Sequence, residues 1–247
     1  MITKPITISL ETYTTLLDKE NLGEPHPTLV GGELWYPPEL ARERDVRILH
    51  ELREQGLTSG NRVSEDFHDT LRLVQRPAVE YYTFAVSPEG DQWTARTAMI
   101  GRDALLITKH GADIHLEPIP HEQLGVRLAA ALPETPPAQL KSITCSVAEL
   151  EALQAGKSLP PGPSSSDAKR MQRWLDLERQ SAGQLYAAIR DGMNRRHTTT
   201  APMPCWIDTE SGRLLLTPDG SGWCTLTGGD TMSIAQKLSA LEEKLRG

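Results

Sequence analysis

The chain has 247 residues, of which 38% are hydrophobic, 24% charged and only two are Phe, with a net charge of −7. That length allows one large domain or two small ones around a lean core. The acidic balance argues against nucleic acid and anionic lipid as partners, since both need a basic surface.

The N-terminal MITKPITISLETYTTLL lacks the basic start, apolar stretch and small-residue cleavage site of a secretory leader. Ile6 to Leu10 alternates and predicts a short strand, and Thr12 to Leu17 a helical turn. Residues 21–38 carry Gly23, Pro25, Pro27, Gly31, Gly32, Pro37 and Pro38. They predict strand fragments around Leu29–Val30 and Leu34–Tyr36, and no helix. A helix follows from Pro38 to Gln55, with Pro in its first turn, Leu40, Ile48, Leu49 and Leu52 as its apolar stripe, and Gly56 closing it. Ser64 caps a second helix through Phe67, Leu71 and Val74, which Pro77 ends. A meander of strands then runs over Val79–Val86, Gln92–Ile100, Ala104–Thr108 and Asp113–Glu117. Ser87-Pro88-Glu89-Gly90-Asp91 forms its first turn. A helix from His121-Glu122 carries Leu124, Leu128 and Leu132.

Ile143–Val147 predicts a strand, Ala148–Leu153 a short helix, and Gly156–Ser166 a Pro/Gly/Ser linker. Asp167 then caps a helix with Met171, Trp174, Leu175 and Glu178 on successive turns. Strands follow over Gln184–Arg190, Thr199–Ile207, Arg213–Thr217 and Trp223–Thr227, and Asp230 caps a last helix carrying Ile234, Leu238, Leu241 and Leu245.

Two stretches read as copies about 110 residues apart, one opening at Gly101-Arg102 and the other at Gly212-Arg213. Leu105, Leu106 and Thr108 fall on Leu214, Leu215 and Thr217; Gly111 on Gly220; Leu116 on Leu226; Leu124 on Ile234; Leu128 on Leu238. A repeat this long is a duplicated half-domain, not a solenoid unit. With consecutive strands joined by short turns it predicts an α+β fold: a central antiparallel β-sheet, flanking helices and two pseudo-two-fold-related halves. One domain spans 1–247, with halves at about 1–135 and 167–247 and a joint over 136–166.

Catalytic and ligand-binding patterns are scarce. Gly228-Gly229-Asp230 lacks the Lys and spacing of a phosphate loop. The seven His are scattered, without metal-ligand spacing. Cys145, Cys205 and Cys224 have no CxxC spacing and suit a reducing cytoplasm. Cys205 and Cys224 sit on strands that can be neighbours, leaving open a small hydrolase in which one of them works with a nearby His. Arg195-Arg196-His197 beside Asp191 reads as a solvated hairpin tip. The Glu and Arg residues from Glu39 to Glu54 read as a solvated helix face. No apolar run approaches the roughly 18 residues of a membrane span. No cofactor is implied. Trp93 and Trp206 lie on corresponding strands of the two halves and Trp223 on a further one. Tryptophans usually close cores, but on an open sheet face they anchor partners. A homodimeric adaptor would use the same face on itself.

Gly56-Leu57, Gly60, Val63, Phe67, Leu71, Leu73 and Arg76-Pro77 lead into strand-rich sequence. Gly101-Arg102, a Leu/Ile strand and a helix ending at Leu132-Pro133 follow. Ile207-Asp208-Thr209 and Gly212-Arg213 precede the terminal apolar helix. This order resembles the EspG family of type VII (ESX) secretion-associated proteins of actinobacteria, over almost the whole chain. The resemblance implies a cytoplasmic chaperone without catalytic activity. Such a protein binds the tip of a helical PE–PPE heterodimer, or of a WXG100-type protein, as a monomer or weak homodimer. It covers apolar residues there and keeps the substrate soluble for export. The family's binding surface includes a sheet hairpin loop and the C-terminal helical region, which fall by order on Ser87–Asp91 and on the residues after Asp230. The expected contact set is Ser87, Pro88, Glu89, Gly90, Asp91, Trp93, Trp206 and Trp223.

Overall fold

The computed structural model describes residues 1–31, 37–87, 89–160 and 162–247. In chain order these form β1 (Ile6–Ser9), α1 (Leu10–Lys19), α2 (Pro38–Glu54), β2 (Thr58–Ser59), β3 (Arg62–Val63), α3 (Glu65–Gln75), β4 (Val79–Val86), β5 (Gln92–Ile100), β6 (Asp103–His110), β7 (Asp113–Pro118) and α4 (Leu124–Ala130). The order continues with β8 (Ile143–Ser146), α5 (Val147–Gln154), α6 (Pro163–Leu175), β9 (Arg179–Arg190), β10 (Arg196–Thr198), β11 (Cys205–Thr209), β12 (Gly212–Pro218), β13 (Trp223–Gly228) and α7 (Thr231–Arg246).

Side-chain oxygens set several helix starts. Ser9 accepts from Thr12 N at 3.1 Å, Ser64 from Phe67 N at 3.3 Å and Asp230 from Ser233 N at 2.6 Å, each satisfying a backbone donor the helix leaves unpaired. Glu51 of α2 does not face solvent as the charge pattern suggests. Its carboxylate accepts from Ser9 N, Ser9 Oγ and Thr12 Oγ1, tying α2 to the start of α1.

One antiparallel sheet runs β1-β7-β6-β5-β4-β9-β11-β12-β13-β8, with β10 added beside β9, and β2 and β3 form a separate two-stranded ribbon. Read from either edge, the order is the same: an edge strand that precedes a helix, then a four-strand meander taken in reverse. The ladders agree with the repeat. Leu105 pairs with Ala98, and Ala98 with Glu80. Its counterpart Leu214 pairs with Ile207, and Ile207 with Ala182. Matching Glu80 to Ala182 makes Thr83 and Leu185 counterparts, and these two pair with each other across the β4–β9 seam. The pseudo-two-fold axis therefore crosses the sheet at that pair. On one face α4 and α7, also counterparts, pack against each other over the axis, where a Cβ added to Gly125 would lie 3.1 Å from Ala235 Cα.

The sheet separates three apolar clusters. Beneath α4 and α7 lie Val79, Tyr81, Leu128, Leu185, Trp206, Ile234 and Leu238. On the opposite face α1, α2 and α3 cover the outer strands of the first half, with Phe67, Leu71, Ile107 and Leu116 central to that cluster. There too α5 and α6 cover the outer strands of the second half, over Ile143, Met171, Leu214 and Leu226. The middle of this face, between the two groups of helices, carries the exposed Phe84 and Val86.

Several sequence expectations need correction. Residues 143–175, assigned mostly to a joint, supply edge strand β8 and helices α5 and α6. Helix α6 starts at Pro163, not after Asp167, because Pro fits the first helical turn and Ser165 Oγ bonds back to Gly162 O at 2.8 Å. It ends at Leu175, before Glu178. Of the strand expected over Thr199–Ile207 only Cys205–Ile207 is strand, the start of β11; β10 ends before it at Thr198, and residues 199–204 join no ladder, since Pro202 and Pro204 lack the donors one requires. Pro27–Leu29 forms a 3-10 turn capped by His26, not part of a strand. The fragment expected at Leu34–Tyr36 lies outside the described residues.

Gly125 generates a test. A Cβ there meets Ala235 Cα, Cβ and O at 3.1–3.2 Å, so Gly125→Val must separate the two axial helices. We expect a loss of about 1–3 kcal/mol, read as a lower urea midpoint.

Candidate partner-binding surface

The β4–β5 turn is closed by its backbone. Ser87 N donates to Asp91 O at 3.0 Å and Gly90 N to Ser87 O at 3.0 Å. Gly90 sits at φ +89°, a left-handed conformation that glycine adopts without strain. Glu89, Gly90 and Asp91 are exposed, so the tip presents two carboxylates. Pro88 lies outside the described residues.

Trp93 and Trp206 share one row of the sheet. Trp93 pairs with Ala85, Ala85 with Gly183, and Gly183 with Trp206. The two small residues let the indoles approach across them, with ring centroids 6.2 Å apart. A Cβ on Gly183 would lie 2.6 Å from Phe84 O and 2.8 Å from Trp206 Nε1. Trp206 Nε1 donates to Thr83 Oγ1 at 3.1 Å, and the Arg213 guanidinium lies 5.3 Å over its ring. Trp206 is fully buried. It offers no surface to a partner and serves the core, contrary to the expectation of an exposed anchor. Trp93 is half-buried and stacks on His110 at 5.6 Å.

Trp223 is 45% exposed, but the register places it far from the acidic tip. The β4–β5 turn follows Val86, which pairs with Ala182, and Ala182 pairs with Ile207. Trp223 begins β13, beside the end of β12 at Pro218 and near Cys205, at the opposite end of the strands. Asp219 shapes the turn before it, accepting from Ser221 N at 2.8 Å, Ser221 Oγ at 2.8 Å and Trp223 N at 3.1 Å. These bonds, led by the Ser221 hydroxyl, hold the Asp219 carboxyl below the usual carboxylate range.

The Arg195-Arg196-His197 tip divides in the structure. Asp191 accepts from Met193 N, Arg195 N, Arg195 Nε and His197 Nε2, all at 2.9 Å. Arg196 instead turns inward. Its Nε meets Glu80 Oε1 at 2.6 Å, and Arg96 Nε meets Glu80 Oε2 at 2.6 Å. Glu80 and Arg96 are buried, so each charge needs the other. Burial, with Arg96 next in weight, pushes the His26 pKa far down and keeps the ring neutral beside them.

This ion cluster floors one end of a surface that was not singled out in the sequence. Tyr82 stacks on Tyr186 at 4.9 Å, and Phe84 meets both rings edge-on. Phe84 and Val86 are 38% and 46% exposed. With Ala182, Cys205, Leu216 and the α5–α6 side chains Leu150 and Leu175 they line an open apolar groove of about 430 Å³. The available signal was Val79–Val86, whose Tyr, Phe and Val occupy both alternating positions, as a strand needs when both its faces meet apolar groups.

The thiols show no sign of nucleophile activation. Cys224 pairs with Cys145, not Cys205, with sulfurs 3.9 Å apart. Cys205 Sγ contacts Met203 O at 3.5 Å. Burial raises all three pKa values, that of Cys145 to about 12, the reverse of what a thiolate nucleophile needs. Among the described residues no group of three or more His, Cys, Asp or Glu can hold a metal, and no helix is long and apolar enough to cross a membrane.

Two tests follow. Gly183→Ala should cost about 1–3 kcal/mol by displacing Trp206 or Phe84 O, with a shift in tryptophan emission. Asp219 has a depressed folded pKa, so its contribution is present above the unfolded value and is lost as pH falls through the folded one. Asp219→Asn should therefore lower the melting temperature at neutral pH, and the gap should close below the carboxylate range.

A family model described as the EspG family matches residues 9–240. Among solved structures the chain is similar to the type VII secretion system chaperone EspG5 of Mycobacterium tuberculosis, determined in complex with a PE25-PPE41 dimer. The TM-score is 0.67 at 16% identity, over 98% of this chain and 96% of that one. This likeness shows the fold. No curated protein matches the sequence.

Proposed function

The chain belongs to the EspG family, and from that premise we propose that it is a non-enzymatic, cytoplasmic chaperone of type VII secretion. Its substrate is a helical dimer of the PE–PPE kind, held soluble until export. The observation that carries this reading is the family match over residues 9–240, joined to a fold shared with a chaperone solved with such a dimer. The whole chain acts as one domain.

The physical features are consistent with that role. A binder for an apolar helical tip needs exposed apolar area with a polar rim. The acidic Glu89 and Asp91 tip supplies a negative edge that steers a partner with a basic rim. Ser87, Glu89, Gly90, Asp91 and the half-buried Trp93 form the contact set we favour, with the start of α7, which follows Gly228 at the same end of the strands across β9, β11 and β12. Trp206 contributes only by packing, and Trp223 stands apart at the other end of the strands.

Co-expression with PE–PPE proteins encoded beside the same type VII locus tests the function. Recovery of a complex is expected; a folded chain that retains none of them refutes the chaperone reading. Within a recovered complex, Glu89→Lys with Asp91→Lys should weaken binding about tenfold or more. Trp93→Ala should cost about 2 kcal/mol if it is a hot spot, whereas Trp223→Ala should leave affinity unchanged. Unaltered affinity in the first two variants would move the contact surface elsewhere while sparing the function.

A further inference from the structure

Three sulfur atoms meet inside the second half. Cys145 comes from β8, Cys224 lies opposite it on β13, and Met171 descends from α6. Cys145 Sγ lies 3.6 Å from Met171 Sδ, Cys224 Sγ lies 3.7 Å from it, and the two thiol sulfurs are 3.9 Å apart. Cys145 and Met171 are fully buried and Cys224 is 4% exposed.

A nearly equilateral triangle of this size encloses a point about 2.2 Å from every corner, close to the roughly 2.3 Å of a metal–thiolate bond. The donors thus already stand at coordination distance from a common centre. We propose that Cys145, Cys224 and Met171 form a trigonal, all-sulfur binding site for one Cu(I) ion.

The donor chemistry selects the ion. Thiolate and thioether sulfurs are soft ligands that favour Cu(I), whereas carboxylates and carbonyls suit the hard cations. Structural zinc takes four ligands, and among the described residues no cluster of three His, Cys, Asp or Glu exists to complete such a set. The surrounding shell is apolar, with Ile143, Leu150, Ala168 and Leu226 in the same cluster. A cation entering it must have its charge cancelled. Loss of the first thiol proton to solvent does this, since one Cu(I) and one thiolate are together neutral; the second cysteine also binds as its thiolate, its proton likewise leaving to solvent, so the site carries one net negative charge, and the neutral thioether completes the triangle. No electron is transferred. Access exists from the sheet face, where an open groove of about 490 Å³ is lined by Val147, Leu150, Gln154, Leu216 and Cys224 itself.

The site would join edge strand β8, β13 and α6 through one ion, and an ion that binds only the folded chain stabilises it. The test uses the purified full chain, reduced and free of oxygen, titrated against the Cu(I)–bicinchoninate complex. The expected result is withdrawal of one copper per chain from the indicator, a raised melting temperature and sulfur as the only near neighbour in copper X-ray absorption. Cys145→Ala and Cys224→Ala should abolish the withdrawal. Met171→Leu, close in shape and so safe for folding, should lower affinity about tenfold or more, at least the loss that even an outer-shell partner brings. Cys205→Ala should retain it in full. Failure of the folded wild-type chain to take copper from the indicator overturns the proposal. So does uptake that survives Met171→Leu unchanged, or uptake that Cys205→Ala removes.

Discussion

The seam between β4 and β9 is the interaction on which the remaining architecture rests. It pairs Val79 through Val86 with Ile189 through Ala182 in unbroken antiparallel register. A one-residue slip would send every side chain of one half to the wrong face, so the same ladder that joins the halves also fixes which helices lie where. Glu80 sits in this seam opposite Ala188, bonded to Arg96 and Arg196. A carboxylate buried there is tolerated only because two guanidiniums reach it, and the fully buried Arg96 would be stranded without it. The seam is thus pinned by charge at one end and by the Ala85–Gly183 approach, with its two indoles, at the other.

From this seam the division of labour between the two faces follows. Both axial helices follow the last meander strand of their half and return over the centre, so one face is closed by a single pair, α4 and α7. The helices of the other face attach to the outer strands of their own halves, leaving Phe84, Val86 and Tyr186 between them. The open strip is a result of connectivity more than of composition. The chain achieves it with 38% hydrophobic residues because its core is split into three thin clusters instead of one thick one.

Much of the fold was legible because period and punctuation agree locally. Val79–Val86 and Gln92–Ile100 were bounded correctly by Pro77, the Ser87–Asp91 turn and Gly101, and Ser64 and Asp230 announce helices that they do cap. The repeat gave the paired halves. Local signals failed where partners are distant in sequence. Nothing near Trp206 says that Gly183 and Thr83 will make room for its indole and bond it, so its burial was not readable. Glu51 looks like any solvated helical glutamate until Ser9 and Thr12 are brought to it. The acidic turn of the candidate surface was readable from Gly90 and its flanking charges. The separation of Trp223 from that turn was not, since it depends on strand order across the seam.

The edges of the sheet carry a last consequence. β1 and β8 each have four residues, and each passes directly into a helix, at Leu10 and at Val147. A long, flat edge offers unpaired amides to any extended chain and invites aggregation, whereas a short one ending in a helix gives little to copy. An eleven-stranded sheet with an apolar strip on its surface would otherwise be a hazard in a crowded solution. With both borders clipped to about one turn of a ladder, adhesion is confined to side chains, where it can be selective, and withheld from the backbone, where it could not.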